Sequence, residues 1–322
     1  MCNNKRKRDN LIVRGIVKDN LQELTSKCKL IGISGQGDPI FNQNAVFDIL
    51  KICGRNKQFE LITSGNIPQK KFMIFIKNME EIVKNNGSFL RLRFSLDRHH
   101  LSKITHNHFL WLINYFLKEE PSHLELMFRS ITTDKDFVEK YVSKELEKAN
   151  LSFKLENLNA IKTKLIINNK SFFICYQSIV NPTNYGIKDK YDIGTYVDCL
   201  EKKYRKDFTL GYICAGEKPG LDITINPNGD VLFYGIETEV IGNINRERVS
   251  YERITQFVTN SPAHTNLVLI PFKKILSKLR KDVEFSKSID RTNNPYWIIR
   301  NLSVINKKKL YSILGNIKES ET

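Results

Sequence analysis

The chain has no closely spaced cysteines. Its six, Cys2, Cys28, Cys53, Cys175, Cys199 and Cys214, lie far apart with no Cys-x2-Cys pair. That spacing excludes a zinc knuckle and a small disulfide-held domain, and it fits a reducing compartment. No apolar run reaches membrane-spanning length. The basic start MCNNKRKRDN is followed by LIVRGIVKDN, where charge interrupts any signal-peptide core. A soluble, cytoplasmic protein without membrane partners is expected. The Gly-x-Gly-x-x-Gly dinucleotide fingerprint and the Gly-Lys-Ser/Thr of a Walker loop are also missing, as are internal repeats and low-complexity linkers.

Acidic residues are in short supply. Asp and Glu number 35 against 51 Lys and Arg, a net charge of +16 and a pI near 9.4. A basic balance favours anionic partners. Here, however, the lysines are scattered through nearly every segment, with denser patches only at 5–8 and 306–310. This reads as a solvated surface, not a dedicated polyanion groove, and nucleic acid is not expected as a partner.

What is present is alternation. KLIGIS (29–34), FELITS (59–64), FLRLRFSL (89–96), HLELMFRSI (123–131) and LSFKLEN (151–157) read as strands. RGIVKDNLQELTSK (14–27), NAVFDILKIC (44–53), KKFMIFIKNMEEIVKNN (70–86), FLWLINYFLKE (109–119) and DKDFVEKYVSKELEKAN (134–150) read as helices, the last opened by Thr133 or Asp134. Strands separated by crossover helices predict a parallel sheet, either doubly wound or part of a barrel, with ligands at the C-terminal strand ends. Beyond about residue 160 the pattern becomes strand-rich and irregular, and PNGD between two alternating runs marks a hairpin. Helical patterns return in YERITQFV, FKKILSKLRK and KKLYSILGNI. The expected division is an α/β domain over 1–160 and a small α+β domain over 161–322.

The sharpest local feature is ISGQGDPIF (33–41), at the end of the first strand and before a helix. Gly35 and Gly37 permit close backbone approach, Asp38 accepts hydrogen bonds and Pro39 fixes the turn. From these residues alone, a ligand loop and an ordinary strand-to-helix turn are both open. Downstream come LITSGN (61–66), LRFSLD (92–97), Cys214-Ala215-Gly216, LDITINPNGDVLFYG and VIGNIN (240–245). Taken together and in this order, they resemble the radical S-adenosylmethionine superfamily. There a Gly-Gly-Glu-Pro-like segment, a strand ending in Thr-Asn-Gly, a strand ending in Ser-x-Asp and a SPASM or twitch extension follow one another.

The resemblance implies a partial (β/α)6 TIM-like barrel with a small α+β C-terminal extension. It implies a four-iron four-sulfur cluster that cleaves S-adenosylmethionine to a radical that abstracts hydrogen. It also implies a peptide or small-molecule substrate and an electron donor such as flavodoxin or ferredoxin. By resemblance, the backbone at Gly35, Gln36, Gly37 and Asp38 takes the methionine ammonium, with Pro39 holding the loop. Ser64 belongs to the same site, Ser95 and Asp97 hold the ribose from one face of their strand, and Arg129 pairs with the methionine carboxylate. The superfamily's Cys-x3-Cys-x2-Cys motif is not in the chain, and one of its three ligands is expected in Cys2. The other two would then precede residue 1, so that the sequence is a fragment beginning inside the cluster loop and inactive as it stands. In the extension, Tyr234 stands where a second cluster cysteine would be, so no auxiliary cluster is expected and Cys214 reads as a structural thiol. Cys28, Cys53, Cys175 and Cys199 read likewise.

Five of the six histidines fall in 99–123, without acidic or cysteine partners at metal-ligand spacing. A ligand contact from His99 or His100 is left open, and no histidine metal site is expected. The aromatics of FLWLINYF recur at helical spacing and read as core. The alternative from a different class is a non-enzymatic basic α/β binding protein that has lost its cluster.

Overall fold

The structure is a computed structural model and describes residues 11–34, 37–159, 161–177, 193–212 and 220–317. Two compact units divide the chain, one spanning Ile12–Ser178 and the other beginning at Ile179.

In the first unit, α1 (Ile16–Ser26) leads into β1 (Leu30–Ile33), α2 (Gln43–Ile52), β2 (Gln58–Thr63), α3 (Gln69–Asn85) and β3 (Phe89–Ser95). Then come α4 (Arg98–Lys103), α5 (Phe109–Lys118), β4 (Leu124–Ile131), α6 (Lys135–Lys148), β5 (Phe153–Asn159), β6 (Lys162–Ile167) and β7 (Lys170–Gln177). The strands form one open, mostly parallel sheet in the order β1-β2-β3-β4-β7-β6-β5. From β1 to β4 the order follows the sequence and every pair is parallel. Right-handed crossovers between sequential neighbours place their helices on one face.

The strands are patterned for that arrangement. Phe59 and Leu61, then Leu90, Leu92 and Phe94, then Leu124, Leu126 and Phe128 are buried at every second position. They meet Phe72, Ile76 and Met79 of α3, Phe109 and Leu112 of α5, and Val138 and Val142 of α6. Phe72 packs edge-on to Phe94 at 6.2 Å between ring centroids, and Phe109 lies 5.2 Å from Phe128. Each such ring contributes about 2–3 kcal/mol of burial. The intervening residues, Glu60, Arg91, Arg93, Glu125, Met127 and Arg129, are only half-buried on the opposite face. Parallel sheets covered on both faces read as continuous apolar runs, and these strands do not.

Two expectations are corrected here. The unit extends to Ser178 instead of ending near 160, because β7 pairs parallel with β4 and so belongs to the sheet. The strand after α6 does not join as a further parallel neighbour. It forms the far edge, antiparallel to β6, which is in turn antiparallel to β7. The turn between β6 and β7 is Asn168-Asn169, with φ of 48° and 66°. Asparagine tolerates these left-handed positions, and two in succession make the tight hairpin turn that matches strand twist. At the start of α6, Asp134 does not cap its own helix through its side chain. Its carboxylate instead accepts the Arg98 backbone N–H at 2.8 Å.

The second unit contains α7 (Ile193–Tyr204), a three-stranded antiparallel sheet and a helical bundle. The strands are β8 (Ile223–Ile225), β9 (Asp230–Phe233) and β10 (Val240–Asn243). The bundle is α8 (Tyr251–Thr259), α9 (Pro262–Leu269), α10 (Phe272–Leu279), α11 (Val283–Ile289) and α12 (Pro295–Gly315). The PNGD hairpin is present: Gly229 has φ of 89°, and its N–H donates to the Asn226 carbonyl at 2.8 Å. A Cβ on Gly229 would lie 2.6 Å from the Asn245 side chain, which itself donates to the Asn228 carbonyl. The VIGNIN segment thus locks the turn. α12 is interrupted at Asn306 (φ −158°, ψ 90°), whose side chain accepts the Lys309 N–H and restarts the helix. Beneath the bundle, Glu239 is buried and ion-paired to both Lys307 and His264.

Candidate functional site

The C-terminal ends of β1 to β4 and β7 bring polar residues to one edge of the sheet. At the first of them, Asp38 is saturated. Its Oδ1 accepts from the Thr63 hydroxyl at 2.6 Å and the Ile40 N–H at 3.1 Å. Its Oδ2 accepts from both the backbone N–H and the hydroxyl of Ser64, each at 2.6 Å. Three of these four bonds latch the loop after β1 onto the end of β2, and the one from Ile40 closes the turn within the loop. Asp38 and Ser64 therefore orient each other. Pro39 opens a 3-10 turn over Pro39–Asn42 at a position that needs no N–H donor. Gly37 is exposed with open space around it. Gly35 and Gln36 lie outside the described residues. Gly65 has φ of 71°, and a Cβ there would strike the Phe94 ring at 2.7 Å, so the turn after β2 can close on β3 only with glycine.

At the third strand, Ser95 is buried and ends β3. Asp97 is not on the strand, as the two-residue period implied, but is the N-cap of α4. The chain turns at Leu96, so a strand period does not carry across to Asp97. One carboxylate oxygen accepts the His100 N–H at 3.0 Å and the other lies 2.5 Å from His100 Nδ1. Burial alone would raise the Asp97 carboxyl, but the hydrogen bonds from the His100 ring and backbone hold it below the usual carboxylate range. The side chain is thus a buried, ionised acceptor just beyond the end of β3. His100 acts as its partner.

Arg129 stands directly across from Ser95 in the β3–β4 register. Its Nε and one terminal nitrogen both donate to the Gln177 amide oxygen, at 3.0 and 2.6 Å. Among the described residues no carboxylate lies within ion-pair distance of it. Burial, and after it the charge of Arg93, pull its pKa below the ordinary arginine value. A half-buried guanidinium with a second guanidinium beside it, opposed only by the charges of Asp97 and Glu60 from beyond ion-pair distance, is a place for an anionic ligand group.

Sequence reasoning missed Arg93 and Gln177. The alternation of LRLRFS and of FICYQ carried the signal, since both residues share a face with Ser95 and Arg129. Beneath them runs a charge ladder across three strands. Arg91 donates to Glu125 at 2.6 Å and to Glu60 at 2.9 Å, and Arg93 reaches the second Glu60 oxygen at 3.1 Å.

The other candidates take structural places. His108 stacks on Phe72 at 4.3 Å with its Nε2 on the Ile67 carbonyl, and His123 Nδ1 meets the Ser88 carbonyl. Cys53 is buried, and burial raises its thiol to about 11. Cys28 and Cys175 are half-buried. Tyr234 is buried with φ of 50° and stacks on Tyr296 at 5.2 Å. Cys2 and Cys214 lie outside the described residues. Among the described residues, no group of three or more His, Cys, Asp or Glu is placed to hold a metal ion, and no helix is long and apolar enough to cross a membrane. The chain matches no protein-family model and no curated protein sequence.

Proposed function

We propose that this edge binds S-adenosylmethionine and that the chain is a radical S-adenosylmethionine-type protein built on a partial (β/α) barrel. The observation that carries the reading is the convergence, on consecutive parallel strand ends, of the Asp38–Ser64 latch, buried Ser95, ionised Asp97 and an Arg129 that makes no ion pair among the described residues. Sequential strand order with helices on one face is what a partial barrel needs, and the polar face would be its lumen. In this reading Asp97 and Ser95 take the ribose hydroxyls, Arg129 takes the methionine carboxylate, and the backbone after β1 takes the ammonium. A peptide or small-molecule substrate and an electron donor such as flavodoxin or ferredoxin complete it.

The described residues do not fit the four-iron four-sulfur cluster. Three cysteine thiolates are required, Cys2 is outside the described residues, and among the described residues no group of three or more His, Cys, Asp or Glu is placed to hold a metal ion. The proposal for the chain's own residues is therefore to bind and orient the sulfonium cofactor. Titration calorimetry of the full chain with S-adenosylmethionine tests it. Saturable binding is expected, weakened about tenfold by Arg129→Gln, the loss of roughly one charge-assisted hydrogen bond. No heat from the wild-type chain would sink the reading. Binding without any 5′-deoxyadenosine from anaerobically reconstituted protein would favour the non-enzymatic α/β binding protein.

A further inference from the structure

The polar face of the sheet has a charge imbalance that the cofactor reading does not absorb. Glu60 and Glu125 are held by Arg91 and Arg93. Glu156 is held by Lys154 at 2.7 Å and, on its other oxygen, approached by Lys164 at 3.9 Å. These pairings leave Arg129 and Lys162 with no carboxylate among the described residues. The two lie in one row across the sheet: Ser95 is opposite Arg129, Arg129 opposite Cys175, and Cys175 opposite Lys162. Directly opposed residues project from the same face, and two strand spacings separate the backbone positions of Arg129 and Lys162 by about 10 Å. Cys175, the residue between them, has a short side chain, so the row forms a saddle with a cation at each end.

The Lys162 ammonium is already partly desolvated, resting 3.9 Å over the Phe173 ring. It lies close enough to Cys175 to be the strongest nearby charge on that half-buried thiol, ahead of Arg93 and Arg91. Gathering cations at one half-buried place, with Asp97, Glu60 and Glu125 near but none in ion-pair contact with Arg129 or Lys162 among the described residues, costs electrostatic energy, which an incoming anion would recover. In the cofactor reading Arg129 is engaged by methionine, so the free end of the saddle is Lys162.

We propose that the Lys162 end of this row, over Cys175, is a subsite for an oxyanion of the substrate, a carboxylate or a phosphate. It rests on reading the polar face as the ligand side of the sheet. It places the substrate's charged end over β6 and β7, next to the cofactor edge.

The test titrates the full wild-type chain, at low ionic strength, with glutarate and separately with inorganic phosphate. Saturable binding of at least one is expected, weakened about tenfold by Lys162→Gln and unchanged by Lys164→Gln, whose lysine shares the face but faces Glu156. Glutarate alone would identify a carboxylate, and phosphate alone a phosphoryl group. The bound anion should also slow iodoacetamide labelling of Cys175 in the wild-type chain, read by peptide mass, which needs no variant to fold. No saturable binding of either anion would overturn the subsite. Equal weakening by Lys162→Gln and Lys164→Gln would overturn it as well, because the effect would then be general basic charge. S-adenosylmethionine binding should be unchanged in Lys162→Gln. If the wild type takes glutarate or phosphate through Lys162 but no S-adenosylmethionine, the cofactor reading fails and the subsite stands.

Discussion

The two faces of the β1–β7 sheet use the same strands for opposite purposes. Under the helices, Phe59, Leu61, Leu92, Phe94, Leu126 and Phe128 are closed off from water. On the other side, Glu60, Arg91, Arg93, Glu125 and Arg129 stand half-exposed one residue away along the same strands. The apolar face supplies the free energy that holds the strands in register. The polar face is then a preorganised charge array on a rigid support, as a ligand site requires. Half-buried guanidinium–carboxylate bonds contribute modestly to stability, since desolvation offsets much of their attraction, so the ladder reads as a fixed electrostatic floor beneath the strand ends.

Substitutions on each face should break this symmetry unequally. Phe94→Ala is expected to cost most, about 3–5 kcal/mol, from lost burial and a cavity beside Phe72 and Gly65. Urea unfolding would show it as a lower midpoint at unchanged slope. Arg91→Met should cost less, about 1–2 kcal/mol, because Glu125 loses its only guanidinium while Glu60 keeps Arg93. A cost equal to that of Phe94→Ala would mean that the polar face is also a core.

Asp97→Ala should cost about 1 kcal/mol as a lost helix cap, with a defined pH dependence. The folded-state pKa of Asp97 is lowered, so the unfolded chain binds the proton more readily. Its stabilisation is fully present above the unfolded value of about 4 and is lost as pH falls through the folded value. The wild-type and Asp97→Ala unfolding curves should therefore converge in acid, and a difference independent of pH between 2 and 6 would assign the residue a purely steric role. Lys164→Gln should be the mildest, within about 0.5 kcal/mol, since its carboxylate partner is 3.9 Å away and better held by Lys154.

Much of the sheet was legible in the sequence. The period-two runs fixed four strands to within a residue or so, and the apolar stripes of α3 and α5 identified the helices that cover them. The same alternation in FELIT and LRLRFS also recorded the polar face. The place of β7 beside β4 was not legible, because short apolar strands carry no address for a distant partner. The Asn168-Asn169 turn was the one local mark of its hairpin. Within the candidate site, the glycine loop and the Ser95, Asp97 and Arg129 positions were visible as residue types at strand ends. The pairing of Asp38 with Thr63 and Ser64 and that of Arg129 with Gln177 were not, because each joins residues carried by different strands or their ends.

By itself the sequence determined the alternating strand and helix order, the hairpin at Gly229 and the basic balance of the whole chain. These follow from local periodicity, turn chemistry and composition, which act over a few residues or sum over all of them. Only the tertiary structure decided that Asp38 is a latch, that Asp97 caps a helix in place of ending a strand, and that Arg129 and Lys162 share one row. Register between residues as far apart in sequence as Arg129 and Cys175 sets those relations, and register is fixed by packing the apolar face.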